Sequence, residues 1–145
     1  MLKKILVAYD GGKKAHKALE IATEIAKNCD AELYIFSSVK MPSMVASVVD
    51  RVMLKDLEDK SLEYFKSEMK EAEEKVKSQG VPVRTLTVRD SPGPAIVDFA
   101  EKEKIDLIAM GSRNRGIIEG LILGLGSVSN YVTHNARCPV MITKD

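Results

Sequence analysis

Five short apolar runs, separated by stretches of helical periodicity, constrain this chain more than any other feature. Ile5 to Tyr9 reads ILVAY, Leu33 to Val39 LYIFSSV, Val83 to Val88 VRTLTV, Leu107 to Met110 LIAM and Pro139 to Thr143 PVMIT. Runs of this length and composition, bounded by turn residues, read as strands, and the unbroken apolar ones as strands buried on both faces. Between the first two, Ala15, Ala18, Leu19, Ala22, Ile25 and Ala26 recur on one helix face, with Lys and Glu opposite and Asn28 near the end. A second helix carries Leu57, Leu62, Phe65, Met69, Ala72 and Val76 and stops at Gly80. A third, Pro94 to Lys102, turns Ala95, Ile96, Phe99 and Ala100 inward, and a fourth, capped by Ser127, carries Val128, Tyr131 and Val132.

The order βαβαβαβαβ demands right-handed crossovers between mainly parallel strands. The expected fold class is therefore α/β: a single, doubly wound, mainly parallel five-stranded sheet with helices on both faces. Such sheets take ligands at the carboxyl ends of strands, where the strand order reverses.

One stretch resists this pattern. A helix unbroken from Ala46 to Gln79 would run about 50 Å, too long for a compact domain of this size, so a break is expected within Met41 to Leu54. Met44, Val45, Val48, Val49, Val52, Met53 and Leu54 cluster there. Ordinary helix core is the preferred reading of them, and a partner-facing or dimer-facing lid is the other.

The 145 residues suit one domain, 1–145, with a sizeable core. Twenty-two Lys and Arg balance 21 Asp and Glu, which gives no electrostatic reason to expect nucleic acid or an acidic membrane as a partner. Cys29 and Cys138 stand far apart without neighbouring ligands, as in a reduced, cytoplasmic compartment. No apolar run approaches the roughly 20 residues of a membrane span, and Met1 to Asp10 lacks the marks of a secretion signal.

Two segments following buried strands carry residues suited to phosphate or ribose: Asp10-Gly11-Gly12, and GSRNRGIIEGLILGLGS from Gly111 to Ser127. Glycines permit close backbone approach and a helix start offers free N–H groups to an anion, although five loop glycines also serve plain turns. If strands one and four are central neighbours, the two segments face each other.

Met110-Gly111-Ser112-Arg113, Gly126-Ser127-Val128-Ser129, Cys138-Pro139-Val140 and the opening ILVAYDGG together resemble the universal stress protein family, along essentially the whole chain. The family's nucleotide-binding members space Gly, two residues, Gly, nine residues, then Gly-Ser or Gly-Thr. Here Asn114 stands at the second glycine and Gly111 to Gly126 is two residues longer, with Gly116 restoring the nine-residue gap. Asn tolerates a left-handed backbone and would add an amide near the phosphates.

The resemblance implies a Rossmann-like fold of the adenine nucleotide alpha hydrolase-like group that binds ATP or another adenine nucleotide, with Mg2+ or Mn2+ held through the phosphates. Carried over, Ala8, Tyr9 and Asp10 lie near ribose and base, Ser38 and Val39 border the adenine, and Met110 and Gly111 line the same pocket. Gly126, Ser127 and Val128 hold phosphates. Ser127 serves as a helix cap alone or as a cap that also meets phosphate. Arg113 and Arg115, flanking Asn114, are candidate charge partners for a triphosphate, or else solvated loop residues.

The resemblance also implies a homodimer through the edge strand Pro139–Thr143 and an unknown protein partner. The function expected is a nucleotide-dependent sensor in stress response. A nucleotide-free homodimeric interaction module of the same fold is the alternative. Catalysis beyond weak ATP hydrolysis is not expected: His16 and His134 read as helix surface, and neither GxxxxGK[ST] nor GxGxxG occurs.

Overall fold

The computed structural model describes residues 1–38, 50–112 and 128–144. Five strands, β1 (Lys4–Ala8), β2 (Glu32–Ser38), β3 (Val83–Val88), β4 (Leu107–Gly111) and β5 (Val140–Thr143), form one sheet in the order β3-β2-β1-β4-β5. All four pairings are parallel. The helices are α1 (Lys13–Cys29), α2 (Arg51–Lys77), α3 (Pro92–Lys102) and α4 (Val128–Asn135). Thus the expected doubly wound α/β class holds, β1 and β4 are central neighbours, and the strand expected to carry a dimer contact, β5, is at the outer edge.

The strand period of two sorts the core into two layers. Ile5, Val7, Leu33, Ile35, Leu107 and Ala109 join the buried faces of α1 and α2, while Leu6, Phe36, Ile108 and Met110 join those of α3 and α4. Helix α1 offers Ala15, Ala18, Ala22 and Ala26 to the sheet, small side chains that let its axis lie close over β4 and β1. It ends on Asp30 at φ 55°, where a short polar side chain tolerates the left-handed region in place of glycine.

Helix α2 starts at Arg51, its amide ends capped by Asp50, whose carboxylate accepts from the Met53 N–H at 2.7 Å. Its 27 residues span about 40 Å, against roughly 20 Å for β3. Met69, Ala72 and Val76 are buried, and an ion pair between Asp59 and Arg89, just past β3, marks where the sheet ends. The first two turns extend past that level. Val52 is 81% exposed and Met53 53%, which overturns the preferred reading of these two residues as helix core. Leu57, expected on the packed face, is exposed for the same reason. The rest of the apolar cluster before Asp50 lies outside the described residues.

At the opposite end of the sheet, Asp106 Oδ2 accepts from the N–H groups of Lys3 and Lys4, both at 2.9 Å, and so pins the start of β1 to β4. These two bonds hold its carboxyl below the usual carboxylate range. A depressed native pKa contributes stability that is full above the unfolded value and is lost as pH falls through the native one. Because the site is well solvated, Asp106→Asn is expected to cost only about 1 kcal/mol at neutral pH. In urea unfolding, the gap from wild type should close in acid; a gap that persists there would contradict this account. Among the described residues no helix is long and apolar enough to cross a membrane.

Candidate functional site

The carboxyl ends of β1 and β4 part at the point where the chain winds to opposite faces, and a cavity of about 280 Å³ opens there. Register builds its floor. Ala8 pairs with Phe36 on one side and with Met110 on the other, so a small side chain stands between two large ones in a row across the three central strands. The row leaves a dent at Ala8. Pro92 and Ile96 from the start of α3 continue this apolar wall.

The other side is polar. Asp10, Lys14, Ser112 and Ser129 line it, with α1 and α4 both beginning there. Asp10 Oδ1 accepts from the Gly12 N–H at 2.9 Å, and Gly11 takes φ 82° to make that turn. A carboxylate has about four acceptor positions, so Asp10 keeps capacity for ligand hydroxyls. Ser38, at the end of β2, donates its hydroxyl to the Asp90 carbonyl and ties the rim of the cavity to the segment after β3.

Gly111 is required by close packing. A Cβ on it would sit 2.6 Å from Lys14 Cβ and 2.8 Å from the Lys14 carbonyl carbon, so only glycine lets α1 begin against the end of β4. Thr143, buried on β5, braces the same junction. Its hydroxyl donates to the Lys14 carbonyl at 2.8 Å, and its own carbonyl accepts from the Ser112 N–H at 2.8 Å.

Seven expected site residues, Ala8, Tyr9, Asp10, Ser38, Met110, Gly111 and Val128, line this one cavity. Val39, Arg113, Asn114, Gly116, Gly126 and Ser127 lie outside the described residues. Tyr9 lines it where the strand ends, yet its ring belongs to the α1 and α2 core, with its hydroxyl 3.0 Å from His16 Nε2. Burial, then the nearby carboxylates of Glu68, Asp10 and Glu71, push its pKa up to about 12, so the phenol stays neutral. His16, read as helix surface, is exposed but engaged by that phenol.

Sequence reasoning missed Lys14, Ala15, Phe36, Pro92, Ile96, Ser112 and Ser129 as lining residues. A usable signal existed for Lys14, a cation just after Asp-Gly-Gly; the others depend on register and helix placement. A second cavity, about 400 Å³, lies by the amino ends of β4 and β5, where Arg137 pairs with Glu101 at 3.1 Å. Burial raises the pKa of the Cys138 thiol on its wall. That cavity is at the end of the sheet away from the switch point.

A parallel sheet wound on both faces, with a preformed crevice where its order reverses, defines a Rossmann-like α/β domain. The chain belongs to the universal stress protein family, whose sequence model matches residues 1–144. It is 35% identical over 147 positions to universal stress protein MJ0531 of Methanocaldococcus jannaschii, covering 99% of this chain and 83% of that one. To universal stress protein YxiE of Bacillus subtilis it is 29% identical, covering 99% and 100%.

Among solved structures, that of MJ0577, also from Methanocaldococcus jannaschii and presented as a structure-based assignment of biochemical function, matches with a TM-score of 0.82. Identity is 27%, over 100% of this chain and 97% of that one. The fold is shared with a universal stress protein in complex with cAMP, at TM-score 0.72, 24% identity and 97% and 96% coverage. It is shared too with one from Archaeoglobus fulgidus in complex with dAMP, at 0.64, 22%, and 99% and 100% coverage.

Proposed function

We propose that this chain binds an adenine nucleotide, ATP with a divalent cation on its phosphates, in the switch-point crevice and acts as a nucleotide-dependent sensor. The observation that carries the reading is the two-sided lining: an apolar row of Phe36, Ala8 and Met110 faces a polar side of Asp10, Lys14, Ser112 and Ser129. A planar base suits the dent over Ala8, ribose hydroxyls suit Asp10, and phosphates suit the starts of α1 and α4. That relatives of the same fold were captured with cAMP and dAMP supports the choice of adenine.

The donor set also bears on the metal. Asp10 is the carboxylate among the described lining residues, and no group of three or more metal-ligating side chains occurs among the described residues. A hard divalent ion would therefore be carried mainly by phosphate oxygens, as Mg2+ commonly is.

Filling the dent tests the reading. Titrated with Mg-ATP in a calorimeter, wild type is expected to bind, and Ala8→Leu to bind at least about tenfold more weakly while still unfolding cooperatively. Wild type that evolves no heat of binding and shows no thermal shift would overturn the proposal and leave the nucleotide-free interaction module.

A further inference from the structure

We infer that Ser38 makes this crevice select a purine that bears an amino group at its six position, an inference that rests on the adenine-nucleotide reading above. Ala8, Phe36, Pro92, Ile96 and Met110 build the apolar wall, and Ser38 is the polar side chain on that wall among the described lining residues. Asp10, Lys14, Ser112 and Ser129 stand on the other side. In a mostly apolar pocket, the few polar groups set a ligand's orientation and specificity.

Strand register puts Ser38 within reach of the base. Phe36 and Ser38 stand two residues apart on β2, so they face the same way at a spacing of about 7 Å. Phe36 pairs with Ala8, over which the base is seated, and Ser38 pairs with Val88, whose side chain joins the same core layer. Helix α1 begins against the end of β4, and α4 touches β5. Phosphates at those two helix starts leave the base pointing towards β2, so that its far edge, which carries the six position, meets Ser38.

The hydrogen of the hydroxyl decides what Ser38 can recognise. The Asp90 carbonyl can only accept, so Ser38 donates its one hydrogen there and its oxygen keeps only lone pairs to offer. That carbonyl is held in place: the Asp90 carboxylate accepts from the Ser91 N–H at 2.7 Å, and Arg89 pairs with Asp59 on α2. The donor is thus spent before a ligand arrives, and the acceptor is preorganised. An amino group gives a hydrogen to such an oxygen, whereas a keto oxygen at the six position sets lone pairs against lone pairs.

The test compares ATP, ITP and purine ribonucleoside triphosphate, which has no substituent at the six position, as Mg2+ complexes in equilibrium dialysis with wild type, Ser38→Ala and Ser38→Thr. Wild type is expected to bind ATP about fivefold more tightly than the unsubstituted analogue, the factor that one neutral hydrogen bond supplies, and ITP no more tightly than the analogue. In Ser38→Ala, ATP should fall to within about twofold of the analogue while the analogue itself changes less than about twofold. Ser38→Thr keeps the hydroxyl and should keep the preference. A preference for ATP that persists in Ser38→Ala would mean that Ser38 only shapes the rim. ITP or the analogue binding wild type as well as ATP would mean that no acceptor reads the six position. Either result overturns the inference while the nucleotide reading stands. Wild type that binds none of the three would overturn both.

Discussion

Gly111→Ala is expected to cost about 2–3 kcal/mol in urea unfolding, with an unchanged m value, and to displace the α1 wall of the crevice. The added methyl would meet the Lys14 carbonyl carbon at 2.8 Å and the Ala15 nitrogen at 3.0 Å. Backbone atoms cannot swing aside, so α1 must lift from β4 and loosen the Thr143 bond to Lys14. The same change at Gly93 meets the Tyr131 ring at 2.8 Å, but Tyr131 is 40% exposed and can rotate at lower cost. A Gly111→Ala protein within about 0.5 kcal/mol of wild type would show that helix and strand approach less closely than described.

Phe36→Ala is expected to cost more, about 3–4 kcal/mol, and to lower the melting temperature by roughly 10 °C. Phe36 is 2% exposed and tilts against Phe99 with ring centroids 5.2 Å apart, while its outer end closes the crevice floor beside Ala8. Truncation empties a packed site and removes the surface on which a base would lie. Calorimetric unfolding measures the first effect, and Mg-ATP titration well below the melting temperature the second. A loss under about 1 kcal/mol would mean that α3 collapses onto the void.

The sheet was legible because each buried strand is a short apolar run with its own turn signal. Both ends of β3, the start of β4 and the end of β5 are named to the residue, and the remaining strand boundaries differ by one. Helix α2 was harder. Helical periodicity in its first turns looks the same whether the face meets a sheet or water, and only the mismatch between about 40 Å of helix and about 20 Å of β3 decides that Val52 and Met53 are exposed. Its cap, Asp50, sits among apolar residues that draw attention away from it.

The site divides in the same way. Residues at the carboxyl ends of strands, Asp10 and Gly111, were readable from the rule that ligands gather there. Phe36 was not, because its part depends on standing beside Ala8 in register, a relation between distant segments that no local spacing encodes. Lys14 reads in the letters as one charge among several on a helix, and only the seating of α1 against the end of β4 brings it to the cavity.

The Thr143 brace bears on how the molecule is made. Asp10 and Lys14 leave the ribosome well ahead of the residue whose hydroxyl seats Lys14 and whose carbonyl holds Ser112, Thr143, which lies 133 positions after Asp10. At about 5–20 residues per second, roughly 7 to 27 seconds of translation separate the two. Until β5 is laid down, a nascent chain has the floor of the crevice without the brace that seats α1 against β4.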